Sequence, residues 1–355
     1  MKKALLVAHT SDFIPKFEMN DVRILQRMGY EVHYASNFNN VSYEMDKSHM
    51  EDIGIVCHQV DFVRSPYCFS KHKLVCQQLK ELLEKEEYSI LHCHTPVGAA
   101  LARYVAGKYR KSGLKTIYTA HGFHFYKSAP LKYWLLFYPV ERILAKKTDV
   151  LITINKEDFM RAKKFCRHKK TKVEYIPGVG IDIDYWSGKG LESGVKERIR
   201  KEIRQELGVS DSEQMLLSVG ELIPRKNHEE VIRALKEKAS LKNTNYKYFI
   251  CGQGVLWEYL QQLIEQLGLA DKVTLLGYRK DIRELLYAAD LFVFPSKQEG
   301  LPVALLEALA SGVKVVASDI RGNRDLLGLS VEELEQYDSR NVNRKMDEIY
   351  RFCER

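Results

Sequence analysis

Short apolar runs alternate with amphipathic helices along most of this chain of 355 residues. The first apolar run covers residues 4–8, a helix is predicted at about 17–28 and stops at Gly29, and the next run covers 31–35. The alternation continues through both halves of the chain, which predicts an α/β protein with doubly wound parallel sheets. Ligands of such sheets bind beyond the carboxyl ends of the strands.

The length predicts two domains, each large enough to have its own hydrophobic core. The alternating pattern is interrupted at residues 175–184, where Pro177 and Gly180 occur close together. We therefore interpret this segment as the linker between the domains. Asp182 and Asp184, which form an Asp-x-Asp pair, are assigned to the linker and not to a metal site.

The composition describes an ordinary globular protein, with 45% hydrophobic and 29% charged residues. No apolar run approaches the ~20 residues of a membrane-spanning helix, and no signal peptide is recognisable. Seven scattered cysteines indicate reduced thiols, as in the cytoplasm. The net charge of +8 suits an anionic membrane surface or a diphosphate ligand. No nucleic-acid-binding module is recognisable, so no nucleic-acid partner is predicted.

One stretch in the second half carries the most specific chemical signal. After an apolar strand at 291–294, Glu299 lies in a loop, Pro302 suits the first position of a helix, and Glu307 follows more than one turn later. The N–H groups and the positive dipole end of that helix form a site for phosphate. Carboxylates repel phosphate, so the two glutamates are predicted to hold neutral hydroxyls. Sugar hydroxyls on both sides of a phosphate indicate a nucleotide sugar.

A second signal is the turn after the predicted strand at 214–219. Arg225 and Lys226 lie in this turn, directly before the next helix. Backbone donors and cationic side chains at a strand-to-helix turn both point toward an anion. The alternative is a loop with two solvated basic residues.

Four histidines follow two predicted strands of the first half. His92 and His94 follow one strand, and His121 and His124 follow the next. Their spacing differs from that of structural zinc sites and no acidic residue stands at ligand spacing, so no metal site is predicted. The alternative to a functional role is that these side chains fill the loops and bond to the backbone.

Together these motifs resemble the family 4 retaining glycosyltransferases, in particular those of bacterial capsule and exopolysaccharide synthesis. The resemblance rests on the Glu-x7-Glu spacing of Glu299 and Glu307 with Gly-x-Pro inside it, on the pair His121-Gly122, and on the turn that contains Lys226. It implies the GT-B fold, in which two Rossmann-like domains face a central cleft. The resemblance implies an acceptor-side domain at residues 1–178 and a nucleotide-sugar-binding domain at residues 179–340. The second domain is expected to be shorter than in the family after residue 327. Residues 341–355 are expected to form a helix that returns to the first domain.

The resemblance also implies roles for individual residues. His121 and Glu299 are the catalytic candidates, at the donor sugar and the reacting centre. Lys226 is expected to contact the donor diphosphate, and Arg225 to supply the guanidinium, because Glu221 stands at the usual arginine position. The other predicted donor contacts are Tyr278 in the turn near the base, the helix start at Gly300, Leu301 and Val303, and Glu307 at the ribose.

The sequence therefore predicts a retaining glycosyltransferase that moves a sugar from a UDP-linked donor to a lipid-linked glycan or another hydroxyl in surface polysaccharide synthesis. No cofactor and no metal are predicted, since cations and a helix dipole stabilise the charge of the leaving group. The aromatic and basic region 127–147 is predicted to contact a membrane, which suggests the cytoplasm and the inner membrane face. Two alternatives stay open: a nucleotide-sugar epimerase on the same fold, and a shortened, weakly active nucleotide-sugar-binding protein.

Overall fold

The computed structural model describes residues 1–39, 47–239 and 245–355. It divides into two compact units. Unit 1 comprises Met1–Gly180 together with Ser339–Arg355, and unit 2 comprises Ile181–Asp338. Each unit is built on one parallel sheet, which confirms the predicted α/β class with two doubly wound sheets.

In the part of the chain that the structure describes, the sheet of unit 1 has seven parallel strands. They are β1 (Lys2–Val7), β2 (Tyr30–Ser36), β3 (Ile55–Gln59), β4 (Tyr88–Cys93), β5 (Lys115–Ala120), β6 (Val150–Thr153) and β7 (Lys172–Tyr175). Their order is β3-β2-β1-β4-β5-β6-β7, so the chain reverses its direction of winding at β1. Such a switch point is where open α/β sheets bind ligands, next to the carboxyl ends of the strands.

Within the described residues, eight α-helices of unit 1 connect these strands or follow them. They are α1 (Phe13–Phe17), α2 (Met19–Arg27), α3 (Lys47–Asp52), α4 (Phe69–Lys85), α5 (Pro96–Ala106), α6 (Leu131–Leu144), α7 (Lys156–Cys166) and the last helix of the chain, α16 (Ser339–Glu354). The prediction of a single helix at about 17–28 is wrong at its start. Glu18 has a non-helical backbone, with φ −127° and ψ 20°, and it separates α1 from α2.

Side chains of unit 1 pack on both faces of the sheet. Leu5 and Val7 of β1 belong to one apolar cluster, whereas Ala4 and Leu6 belong to another. This division follows from the alternation of side chains along a strand. Helix α16 completes the second cluster, where Tyr350 is fully buried.

One ion pair of unit 1 is buried between α5 and α6. The guanidinium of Arg103 donates two hydrogen bonds of 2.9 Å to the carboxylate of Glu141. Its Nε donates to the Ala99 carbonyl at 3.1 Å, and the group lies 3.8 Å from the centre of the Tyr118 ring. Arg103 has no exposed surface, so this pair holds two helices together through contacts that water does not reach.

Among its described residues, unit 2 has a sheet of five parallel strands. They are β8 (Gln214–Val219), β9 (Tyr246–Cys251), β10 (Val273–Gly277), β11 (Leu291–Phe294) and β12 (Lys314–Ala317). Their order is β10-β9-β8-β11-β12. Because β8 and β11 are parallel neighbours, the loops that follow them leave the sheet side by side.

The helices of unit 2 include several short ones. They are α8 (Ile183–Ser187), α9 (Val195–Glu206), α10 (His228–Ala239), α11 (Trp257–Gln266), α12 (Ile282–Ala288), α13 (Val303–Ser311), α14 (Arg321–Arg324) and α15 (Val331–Leu334). Asp182 caps α8 by accepting a hydrogen bond of 2.9 Å from the Tyr185 N–H, which gives it a structural role. After β12, the described part of unit 2 adds short helices and no further strand.

A close backbone approach fixes the loop after β8. Gly252 lies directly after β9, and a Cβ atom at this position would come within 1.9 Å of the Gly220 carbonyl oxygen. The Leu222 N–H donates a hydrogen bond of 2.9 Å to the Gln253 carbonyl in the same region. Only glycine allows these two chain segments to pack so closely, so Gly252 positions the turn that carries the cationic residues.

Candidate functional site

The loops after β8 and β11 are joined by direct hydrogen bonds. The Lys297 N–H donates to the Arg225 carbonyl at 2.9 Å. The side chain of Asn227 donates to the Pro295 carbonyl at 3.3 Å, from a residue whose φ is +59°. The two predicted motifs of unit 2 are therefore one structural site, built on adjacent strands.

Three predicted residues form an ion cluster in this site. The Nη1 atom of Arg225 and the Nζ atom of Lys226 lie 2.8 Å and 2.9 Å from the same oxygen, Oε1 of Glu299. Arg225 also donates to the Gln298 carbonyl at 2.8 Å. Glu299 is buried, whereas Arg225 is partly exposed. Two cations and one carboxylate leave an excess positive charge, which suits an anionic ligand.

The start of α13 lies directly after this cluster. The helix begins at Val303 without a side-chain cap, so its first N–H groups are available to a ligand. Leu301 before it is buried. Gly300 packs tightly against Gly322, where a Cβ atom would come within 2.5 Å of the Gly300 carbonyl oxygen. The predicted helix start is thus held in place by the backbone that follows β12.

Glu307 lies in the second turn of α13. Among the residues that the structure describes, its carboxyl group makes no hydrogen bond and no ion pair. Burial raises its pKa to about 7. A carboxyl group that is shielded from water and lacks a protein partner is suited to bind the hydroxyl groups of a ligand.

Tyr278 lies apart from the site formed by the loops after β8 and β11. It follows β10, which is two strands away from β8 in the sheet, and its side chain is 66% exposed. Within the described ranges it makes no hydrogen bond to the other predicted donor residues. Its proposed position near the base therefore stays a prediction.

His121 follows β5 in unit 1. Its Nε2 atom lies 3.1 Å from Nδ1 of His94 and 3.2 Å from Oε1 of Glu18, and its ring meets the Phe13 ring edge-on with centres 4.9 Å apart. Burial lowers the pKa of His121 to about 4, so the imidazole is neutral at neutral pH. It lines a pocket with roughly 370 Å³ of space, part of it open to solvent.

His92 is buried next to His94, and both of its ring nitrogens make hydrogen bonds. Nδ1 lies 2.8 Å from the Tyr350 hydroxyl of α16, and Nε2 lies 2.8 Å from the Thr119 hydroxyl. An oxygen of Asp21 lies 3.4 Å from His92 Nδ1. Burial lowers the pKa of His92 to about 3. The side chain is therefore a neutral, doubly hydrogen-bonded part of the core.

Three polar residues near these sites were not predicted from the sequence. Glu18 and Asp21 are buried beside the histidines of unit 1, and the signal was two acids three residues apart on the inward side of a predicted helix. Arg321 is buried in unit 2 and its Nε atom lies 3.4 Å from the Glu299 carbonyl. His124 is outside the histidine cluster, because its ring stacks on Phe137 with centres 4.4 Å apart.

Comparisons with known proteins agree with this architecture. The family model "Glycosyl transferase 4-like" matches residues 2–155, and "Glycosyl transferases group 1" matches residues 199–351. EpsD of Bacillus subtilis (strain 168), a glycosyltransferase by its name, is 34% identical over 356 residues, which span 99% of this chain and 88% of EpsD. The UDP-Gal:alpha-D-GlcNAc-diphosphoundecaprenol alpha-1,3-galactosyltransferase of Escherichia coli is 31% identical over 254 residues, which span 70% of this chain and 62% of that enzyme.

Solved structures share the fold. HepE from Anabaena, determined in complex with UDP, superposes with a TM-score of 0.71 at 18% identity and 99% coverage of both chains. WaaG, a glycosyltransferase of lipopolysaccharide biosynthesis, superposes with a TM-score of 0.65 at 19% identity, with 99% of this chain and 93% of WaaG covered.

Fold and motifs thus define a glycosyltransferase of the GT-B class. Within that class, the chain belongs to glycosyltransferase family 4. This confirms the predicted family and enzyme class, and the named relatives do not favour the epimerase alternative. No helix within the described ranges combines the length and the apolar character that a membrane span requires.

Proposed function

We propose that unit 2 binds a UDP-linked sugar and that the enzyme transfers this sugar, with retention of configuration, to a hydroxyl of a lipid-linked glycan in surface polysaccharide synthesis. The observation that carries this proposal is the Glu299 carboxylate shared by Arg225 and Lys226, beside the uncapped start of α13. The names of two relatives support it: a galactosyltransferase that uses UDP-Gal and a diphosphoundecaprenol acceptor, and a structure in complex with UDP.

The diphosphate of the donor would bind at the two cations. Arg225 and Lys226 supply two positive charges, and the start of α13 adds the positive end of a helix dipole. As the cations turn to the diphosphate, the Glu299 carboxylate becomes available to the hydroxyls of the donor sugar. Because the charge of the leaving group is met by these groups, we propose that the diphosphate requires no metal ion and the reaction no cofactor.

The remaining donor contacts follow from the position of α13. Backbone groups at Gly300, Leu301 and Val303 would bind phosphate oxygens, and Glu307 would accept hydrogen bonds from the ribose hydroxyls. Tyr278, which is exposed, would lie near the base.

The transfer step needs no nucleophile from the protein. In a front-face displacement, the bond from the anomeric carbon to the diphosphate oxygen breaks as the acceptor oxygen forms its bond on the same face. The acceptor proton passes to the departing phosphate oxygen. Arg225 and Lys226 would stabilise the leaving charge, and we propose His121, whose imidazole is neutral, as the catalytic residue of unit 1.

The lipid-linked acceptor suggests a contact with the membrane through region 127–147. Leu131, Leu135 and Ile143 of α6 are 72%, 70% and 62% exposed, and exposed basic residues such as Lys132 and Arg142 lie among them. Apolar and basic groups together suit an anionic bilayer surface. We place this contact at the inner face of the cytoplasmic membrane. Co-sedimentation with anionic vesicles, and its loss in a Leu131→Ser, Leu135→Ser variant, tests this surface.

A screen of nucleotide sugars tests the function. The purified enzyme is incubated with several UDP-sugars without added metal, and release of UDP and transfer to a lipid diphosphate acceptor are measured. We expect UDP release with at least one donor and a strong reduction in Glu299→Ala. Donor interconversion without UDP release would instead indicate an epimerase, and UDP binding without any turnover would indicate a binding protein.

The raised pKa of Glu307 makes a prediction about stability. The folded state holds this proton up to about pH 7, whereas the unfolded chain releases it near the ordinary glutamate pKa of 4.5. The folded state therefore binds more protons between these values, and stability falls as the pH rises through this window. We expect Glu307→Gln to reduce that fall between about pH 5 and about pH 8. Melting temperatures measured at both ends of the range check this.

The matched control is Glu258→Gln, which replaces an exposed carboxylate on α11. It should follow the wild-type profile. If Glu307→Gln and Glu258→Gln both follow the wild type, Glu307 does not titrate as described.

A further inference from the structure

We infer that unit 1 contains a binding site for a transition-metal dication, with Glu18, His94 and His121 as its protein ligands. The inference rests on the geometry and charge of this cluster alone. It goes beyond donor binding in unit 2 and does not depend on it.

The three ligand atoms have the mutual distances of a metal site. Nδ1 of His94 and Nε2 of His121 are 3.1 Å apart, and Oε1 of Glu18 lies 3.2 Å from the His121 atom and 3.7 Å from the His94 atom. Tetrahedral zinc, with bonds of roughly 2.0–2.1 Å to nitrogen and oxygen, separates its ligand atoms by about 3.3 Å. The three atoms thus outline one face of a tetrahedron around a common point.

The charge of the cluster also indicates a cation. Glu18 and Asp21 are both buried, and within the described part of the chain neither is paired with a lysine or an arginine. The Oε1 atom of Glu18 makes no hydrogen bond. Buried carboxylates in proteins are normally paired with cations or coordinate metals. A dication at the common point would bind the unpartnered Oε1 atom of Glu18.

A neighbouring set of side chains is less suitable as a metal site. Asp21, His92 and His94 also have ligand atoms within 4.8 Å of one another. However, both ring nitrogens of His92 are engaged, by Tyr350 and by Thr119. His92 instead packs against His94, with ring centres 4.2 Å apart, and helps to orient it.

Two histidines and one carboxylate leave a fourth coordination position. Glu18 and His121 both line the pocket of unit 1, so this position faces space that can hold water or a substrate hydroxyl. Imidazole and carboxylate ligands suit zinc and related first-row metals better than magnesium. The prediction of no metal was based on spacing along the sequence, which could not include Glu18. The inference replaces it for this cluster and leaves the donor diphosphate free of metal.

Metal binding by the full-length protein tests the site. After dialysis against a chelator, zinc is titrated by calorimetry, and cobalt is added to record the visible absorption of a four-coordinate ion. Glu18→Gln removes the carboxylate charge, and His121→Asn changes the most exposed ligand. His124→Gln is the matched control, because this imidazole lies on the same loop but stacks on Phe137. Near-ultraviolet circular dichroism verifies that each variant is folded.

We expect the wild type and His124→Gln to bind one equivalent of zinc, and Glu18→Gln and His121→Asn to bind at least about 100-fold more weakly. Zinc should raise the melting temperature of the first two proteins only. Absence of binding by the wild type, or equal binding by the two ligand variants, overturns the inference. UDP titration of the same samples separates the two proposals. UDP binding without zinc binding rejects the metal site and keeps the donor site. Zinc binding without UDP binding rejects the donor site and keeps the metal site.

Discussion

Replacing Lys226 by alanine is expected to lower the rate of sugar transfer by about 100- to 1,000-fold, in the range found when one preorganised charge-stabilising group is removed. The Nζ atom of Lys226 lies 2.9 Å from Glu299 and its side chain is only 13% exposed, so water replaces this charge poorly. Of the two cationic side chains, the leaving diphosphate would retain Arg225 alone, together with the dipole of α13. Initial rates at saturating donor, measured as UDP release in the presence of acceptor, check the prediction.

Lys236→Ala is the matched control, because it removes an exposed lysine from the following helix, α10. Its rate should equal that of the wild type. Glu299 keeps its contact with Arg225 in Lys226→Ala, so the variant should fold normally. A folded Lys226→Ala enzyme with a rate within a few-fold of the wild type would remove Lys226 from the proposed mechanism.

Replacing Glu141 by alanine is expected to destabilise the protein by about 3–5 kcal/mol, the cost of leaving a buried charge without its partner. Arg103 has no exposed surface, and both of its terminal nitrogens donate hydrogen bonds to the Glu141 carboxylate. The Ala99 carbonyl and the Tyr118 ring would remain, but neither carries a compensating negative charge. Equilibrium unfolding in urea, followed by far-ultraviolet circular dichroism, measures the difference.

An exposed ion pair provides the comparison. Glu229 contacts Arg233 at 2.8 Å, but the two side chains are 38% and 51% exposed. Glu229→Ala should therefore cost less than about 1 kcal/mol. The double variant Arg103→Met, Glu141→Leu should recover much of the lost stability, because it removes both buried charges. Equal costs for Glu141→Ala and Glu229→Ala would contradict the structural role of the buried pair.

Much of the fold could be predicted from the sequence because the period of the apolar residues is a local property. The strands at 214–219 and 291–294 have the same limits in the structure as in the prediction. The edge strand β3 was not predicted. Only its first residue, Ile55, is buried, and Val56 is 39% exposed, so its sequence lacks the apolar pattern of a buried strand.

The parts of the proposed donor site could be recognised in the sequence because they are local motifs on adjacent strands. The contact of Glu299 with Arg225 and Lys226 follows from the parallel pairing of β8 with β11. Arg321 could not be assigned in this way. It follows β12, and its approach to the Glu299 carbonyl depends on the tight packing of Gly322 against Gly300.

The cluster in unit 1 shows the limit of reading motifs along the chain. Glu18 and His94 are far apart in the sequence, and their contact requires β1 and β4 to be neighbours in the sheet. The non-helical backbone of Glu18, which no residue pattern predicted, separates α1 from α2 at this point. The acidic partner of the histidines could therefore be recognised only in three dimensions.

Calorimetric titration with UDP and with a UDP-sugar tests the central claim most directly, that Glu307 holds the ribose and Glu299 the donor sugar. Glu307→Gln should weaken the binding of both ligands by about 10-fold or more, the typical effect of losing a hydrogen bond to a charged group. Glu299→Gln should weaken only the UDP-sugar, because UDP lacks the hydroxyls that Glu299 binds. Equal losses of UDP affinity in both variants, or none in Glu307→Gln, would contradict this account of the site.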